Sequence, residues 1–205
     1  DIGHATIALA QKGDRITLGP PEYGFRTYLC LAPCDAQRLA EPQRRLVGRT
    51  LRPYREIYHA GDPQRRIRLL RGPEWDALER PESFLDQPWM TTLEMSAMGI
   101  RLRSLDGAPP PARRTDIISA PVHDGTIQLT PGGPIVLMRN RQTLGGYPRI
   151  YSVIGPDVDL LAQYAPHQAL HFREVTIEHA LECAAQKQRD LDAFREEWTL
   201  DTESG

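Results

Sequence analysis

The richest run of chemistry-bearing residues is Asn140-Arg141-Gln142-Thr143-Leu144-Gly145-Gly146-Tyr147-Pro148. Gln142 offers both an acceptor and donors, the combination that reads another amide or a ureide. Arg141 presents a fork suited to a carboxylate, and Tyr147 supplies a hydroxyl. The paired glycines let the backbone approach a ligand closely and present N–H groups to a carboxylate or a developing oxyanion. The same spacing also describes a glycine β-turn with an exposed polar flank, and spacing alone does not choose between them. His167, His171 and His179 make a poorer case, because Pro166 and a change from strand to helix deny them a shared face; no metal site is expected. Ser96 and Ser152 lack a nearby His/Asp pattern. There is no P-loop and no GxGxxG, which leaves ATP use to a partner or to a site that the sequence does not show.

The elements that hold this run read as short strands. Thr115–Ser119, Thr126–Leu129, Ile135–Arg139 and Ile150–Ile154 are each bounded by Gly, Pro or Asp, so the run spans the connection between the last two. Upstream, Ile67–Arg71, Trp89–Met95 and Gly99–Leu105 read as strands, with Glu74–Leu78 and Ser83–Leu85 as short helical or turn segments and the triple proline near residue 110 as an exposed loop. Near the start, Ile2–Leu9 and Arg15–Leu18 suggest a hairpin about Lys12-Gly13-Asp14, and Phe25–Leu31 a buried strand. Downstream, Asp157–Tyr164 reads as a short helix and Ala169–Val175 as a strand. A long final helix follows, capped by Thr176, with Ile177, Leu181, Ala184, Leu191, Phe194 and Trp198 as a stripe for packing on the barrel or a partner. Turn residues at this frequency favour a barrel or sandwich.

Composition bounds the alternatives. The 205 residues carry 25 basic and 27 acidic side chains, and a net charge of −2 gives nucleic-acid binding little electrostatic support. Only two of the basic residues are Lys, a bias that either genome composition or oxyanion binding explains. The charge is uneven: residues 43–71 carry a surplus of +7 and residues 174–205 one of −6, as expected of two solvated surfaces or of an anion site. Apolar runs such as Ile135–Met138 are far short of the ~20 residues of a membrane helix. Three cysteines without zinc-type spacing point to reduced thiols and a cytoplasmic protein.

The segment RQTLGGYPRIYSVIGPDVDLLAQ (residues 141–163), with His171-Phe172-Arg173-Glu174-Val175 beyond it, resembles the C-terminal signature of the KipA family, also called allophanate hydrolase subunit 2, the 5-oxoprolinase C subunit or biotin-dependent carboxyltransferase. Arg71-Gly72-Pro73, Met98–Leu102, Asp124–Gln128 and Pro134–Met138 match further family segments in order, so the likeness spans most of residues 10–177. The resemblance implies a mainly β, cyclophilin-like barrel with short helices and a C-terminal amphipathic helix. It divides the chain into a β-rich part (1–66), the barrel (67–177) and a helix with an acidic tail (178–205), and it implies that a further N-terminal segment of the family has no counterpart here. It also implies a KipI-like partner subunit and a small amide or ureide substrate, turned over by ATP-dependent 5-oxoproline opening or by carboxyl transfer from biotin, with ATP or biotin engaged through partner subunits. Within the matched segments we expect Gln142 and Tyr147 to be catalytic, and Arg141, Gly145, Gly146, Ser96 and Asn140 to bind substrate. Ala97, Asn140 and Leu144 stand where members commonly carry Arg, Asp and Thr. The lost charges motivate a second reading, a catalytically degenerate partner-binding or regulatory protein of the KipI-antagonist type.

Overall fold

A computed structural model describes residues 8–20, 29, 66–105 and 110–203. The chain divides into two compact units, one of Tyr23–Phe25 and Ala60–Ala184, the other of Asp1–Glu22, Arg26–His59 and Ala185–Gly205. In the second, Lys12 and Gly13 form the expected turn, held by Asp14 N–H to the Gln11 carbonyl at 3.1 Å. Residues 8–20 contain no strand and are exposed throughout, so their alternation serves no buried face. Ile2–Ile7 and most of the expected strand at Phe25–Leu31 lie outside the described residues, as does most of the basic stretch.

The first unit is mainly β, as expected. Strands β1 (Arg66–Arg71), β2 (Trp89–Met95), β3 (Gly99–Ser104), β5 (Thr126–Thr130), β6 (Gly133–Leu137), β8 (Arg149–Val153) and β9 (Ala169–Glu174) form a closed barrel in the order β1-β8-β5-β6-β3-β2-β9. A parallel pairing of β1 with β9, Ile67 opposite Phe172, completes the ring. Two-residue strands β4 (Ala120–Pro121) and β7 (Leu144–Gly145) form a separate ribbon. The strand expected at Thr115–Ser119 is absent: Ile118 is 94% exposed, and Pro121, with no N–H to donate, limits the ladder that does form.

Alternation explains the interior. Ile67 and Leu69, Ile100 and Leu102, and Ile127 and Leu129 point inward from their strands and are buried. One end is filled by α1 (Pro81–Asp86), whose first residue is a proline pre-set for helix. Its Phe84 packs against Trp89, Tyr151 and Phe172 at ring-centre distances of 4.7, 5.1 and 5.4 Å. Trp89 Nε1 donates to the Phe84 carbonyl at 2.8 Å, which satisfies its only polar atom. The interior is therefore a packed core, and any ligand site has to lie outside it.

Helix α2 (Gly155–Leu161) is fixed by a buried ion pair. The Asp157 carboxylate, 1% exposed, accepts from the Arg68 backbone N–H at 2.8 Å and from Arg68 Nε at 2.9 Å. Arg68 Nη1 reaches Cys183 Sγ at 2.8 Å on α3 (Ile177–Glu203), whose first turn is capped by Thr176 Oγ1 accepting from His179 N–H at 3.2 Å. Ala180 is buried, whereas Ile177 and Leu181 from the expected stripe are 52% and 63% exposed. Small residues let the helix come close enough for Arg68 to reach Cys183, so that face packs instead.

Removing one partner of a buried pair strands the other charge. Asp157→Ala should therefore cost about 3–5 kcal/mol in denaturant unfolding, and a cost below about 1 kcal/mol would show that the pair is not structural. Burial pushes the Tyr151 hydroxyl from 10.0 up to about 12, with Glu174 adding to the shift. A folded-state pKa raised in this way contributes stability fully below pH 10 and loses it as pH climbs toward 12, because the unfolded chain gives up the proton first. Tyr151→Phe should flatten that alkaline limb in thermal melts taken across this range.

Candidate active site

Strand β5 signals where the site lies. Thr126, Gln128 and Thr130 face away from the barrel interior, yet all three are buried, so something covers them. Over Gln128 the cover is the connection from β6 to β8, residues 138–148, which carries the Asn140–Pro148 run. Its backbone is tied at intervals: Val122 N–H donates to the Thr143 carbonyl (3.0 Å), Ile117 N–H to Gly146 (2.9 Å) and Leu129 N–H to Pro148 (2.9 Å).

Its far end is anchored by a junction of two sequence motifs. Arg149 donates from Nε to Glu74 Oε2 at 2.8 Å and from Nη2 to Oε1 at 2.7 Å, while its Nη1 reaches the Pro121 carbonyl of β4 at 2.8 Å. The Arg149 guanidinium holds the Glu74 carboxyl below the usual carboxylate range. Gly72 sits against the same backbone, where a Cβ would fall 2.0 Å from the Arg149 carbonyl oxygen; only glycine fits there.

Under this cover lies a pocket of about 250 Å³ on the outer face of β3, β6 and β5. Its polar lining comes from Glu94, Ser96, Arg101, Gln128, Thr130, Gln142 and Tyr147, and its apolar lining from Met98, Ile135 and Leu137. Arg101 donates from Nε to Glu94 Oε2 at 2.7 Å and from Nη1 to Thr130 Oγ1 at 3.0 Å. Ser96 Oγ accepts from Met98 N–H at 3.1 Å, which leaves its O–H to donate into the pocket. Gln128 Nε2 donates to the Tyr147 carbonyl at 3.2 Å, and Gln142 Nε2 to Gln128 Oε1 at 3.4 Å. The lining thus supplies one cation paired with one carboxylate, two amides and three hydroxyls, a set that can hydrogen-bond an amide and, once Arg101 exchanges Glu94 for a ligand, hold a small carboxylate.

Of the expected site residues, the pocket gathers Ser96, Gln142 and Tyr147. It does not gather Asn140, Arg141, Gly145 or Gly146 into its wall. Arg141 Nε lies 3.1 Å from Asp124 Oδ1, an ion pair made without a hydrogen bond. Asn140 N–H donates to the Ala97 carbonyl at 2.9 Å. Gly145 stands behind Gln128, where a Cβ would lie 2.4 Å from Gln128 Nε2. Sequence reasoning misses Gln128 and Arg101. Each alternates with core residues and so reads as solvated; the signal that could have found them is their place inside the matched segments Asp124–Gln128 and Met98–Leu102. The three histidines share no site either: no group of three or more His, Cys, Asp or Glu able to hold a metal occurs among the described residues.

Residues 31–174 match the carboxyltransferase domain, subdomain A and B, across more than half of the chain. The chain belongs to this carboxyltransferase A/B family. Consistently, it is 31% identical over 225 residues to the 5-oxoprolinase C subunit of Escherichia coli, an alignment covering 95% of this chain and 70% of that one. With the corresponding 5-oxoprolinase protein of Haemophilus influenzae it shares 30% identity over 134 residues, 63% of this chain and 42% of that one. The fold is similar to part of the Kluyveromyces lactis urea carboxylase (TM-score 0.58, 19% identity), covering 63% of this chain and 12% of that protein. Carboxyltransferase A/B membership accounts for the barrel, and the motifs that signalled it, Arg71-Gly72-Pro73 and Gly145–Arg149, are those that meet at the Glu74–Arg149 junction. Among the described residues, no helix is long and apolar enough to cross a membrane.

Gly145→Ala should push the Gln128 amide out of place, costing about 1–3 kcal/mol and shifting the Gln128 side-chain NH2 resonances. Unchanged resonances would mean that Gly145 does not seat that amide.

Proposed function

We propose that the chain is the KipA-like component of a 5-oxoprolinase-type enzyme that binds a small cyclic amide and works with a KipI-like partner subunit. The observation that carries this reading is that Gln142 and Arg101 line one pocket, an amide reader and a cation, as a lactam bearing a carboxylate requires. Arg101 receives the carboxylate, exchanging its Glu94 partner for the ligand. Gln142 orients the amide, and the Tyr147 and Ser96 hydroxyls donate to the carbonyl oxygen as negative charge develops on it. Met98 and Tyr147, 54% and 41% exposed, leave a rim for the partner to close.

At about 250 Å³, with Arg101 as the one cation in its wall, the pocket is small and weakly charged for a triphosphate, which supports a reading in which ATP is engaged through a partner subunit. The supply of biotin in a urea- or allophanate-type carboxyl transfer would fall to a partner in the same way. A regulatory, non-catalytic role has one observation in its favour. Ala97 and Asn140, two positions where the family's charges are missing, are joined backbone to backbone, so a recognition pair is lost at one place.

In the assembled complex supplied with ATP, 5-oxoproline hydrolysis should fall about 10- to 100-fold in kcat/KM with Gln142→Ala, while Arg101→Ala should mainly raise KM. Turnover indifferent to both substitutions would remove the pocket from the reaction. If the natural complex is inactive, Ala97→Arg with Asn140→Asp separates the readings: recovered turnover marks a decayed enzyme, and continued inactivity with tight partner binding marks a regulatory module.

A further inference from the structure

We propose that Gln128 is a positioning residue that sets the polarity of Gln142, so that the pocket selects ligands presenting an amide N–H. This rests on the reading that the pocket binds a cyclic amide, and it specifies which edge of that amide is read.

A glutamine amide has a donor end and an acceptor end, and what it recognises depends on which end is presented. The orientation of Gln128 follows from neighbours that cannot change sign. The Tyr147 backbone carbonyl is an acceptor only, and it lies 3.2 Å from Gln128 Nε2, so the NH2 must face it. The side chain is 2% exposed, so no water substitutes for that partner, and Gly145 makes room for the nitrogen. With the NH2 committed there, Oε1 is turned toward Gln142, whose Nε2 lies 3.4 Å away. Gln142 therefore spends one N–H inward, and the end that carries its own Oε1 is the acceptor it has to offer beside its second N–H.

The consequence is a complementarity rule. A ligand group facing the Gln142 oxygen must donate, as the N–H of a lactam does. An isosteric lactone places an oxygen lone pair there instead, opposite the Gln142 oxygen. Among the other polar groups of the wall, Arg101 and the Ser96 and Tyr147 hydroxyls provide donors for the ligand's carboxylate and carbonyl, which the two compounds share.

The test is the affinity ratio between 5-oxoproline and its lactone counterpart, 5-oxotetrahydrofuran-2-carboxylate, measured by titration calorimetry on the full chain with its partner subunits. The wild type should prefer the lactam about tenfold, the worth of one hydrogen bond exchanged for an acceptor clash. Gln142→Met should bring the ratio close to one. Gln128→Met should do the same, whereas general loosening of the pocket weakens both ligands alike and leaves the ratio where it was. Should Gln128→Met fail to fold, Gly145→Ala displaces the same amide and should lower the ratio in the same direction. A wild type that binds both compounds equally, or a Gln128→Met protein that keeps its preference, overturns the proposal while cyclic-amide binding stands. A wild type that binds neither compound overturns both.

Discussion

The clamp between Arg149 and Glu74 is the contact on which the candidate site depends. One guanidinium joins the turn after β1, the start of β8 and the β4–β7 ribbon, because its three nitrogens reach both oxygens of Glu74 and the carbonyl of Pro121. Both side chains are largely shielded, at 19% and 15% exposure, so the pair is less screened than a surface bridge. The backbone of Arg149 approaches Gly72 too closely for any side chain there. The cover over β5 is thus held at its C-terminal end by charge and at intermediate points by backbone hydrogen bonds. Gln142 and Tyr147 are therefore displayed from an irregular segment with fixed ends.

This arrangement separates stability from recognition. The barrel interior is filled by aliphatic rows and the Phe84 cluster, whose polar atoms, the Trp89 indole nitrogen and the Tyr151 hydroxyl, donate to the Phe84 and Pro81 carbonyls. The polar residues that count for a ligand sit on the opposite face of the same strands. Alternation does this directly: Ile100 and Leu102 point in where Arg101 points out, and Ile127 and Leu129 where Gln128 does. Shape on one face and chemistry on the other can be altered independently, except at Gln128 and Thr130, which are buried like core residues and polar like site residues.

Much of the barrel is legible from residue pattern. Strands β2, β3, β5 and β8 fall within a residue or two of their expected bounds because β-branched and aliphatic residues alternate between clear turn signals. The β4–β7 ribbon is not legible: two-residue strands have no period, and Thr115–Ser119 looks more strand-like than the Ala120–Pro121 pair that actually bonds. At the site, Gln142 and Tyr147 stand out because a polar run beside paired glycines is rare within a strand-rich chain. Gln128 and Arg101 do not, because nothing in a strand's alternation tells whether its outer face meets water or a covering loop. The glycine pair does signal a close approach at Gly145, but what approaches it is a side-chain amide of the protein itself.

The ring of strands has a further consequence for assembly. Every strand of the barrel has a neighbour on each side, β1 and β9 included, so along the paired stretches no row of unpaired N–H and C=O groups lies open. Those stretches offer a second polypeptide no place to add a strand. Association along them uses side chains and connecting loops, a mode in which specificity is written residue by residue and unintended sheet extension is avoided at its source.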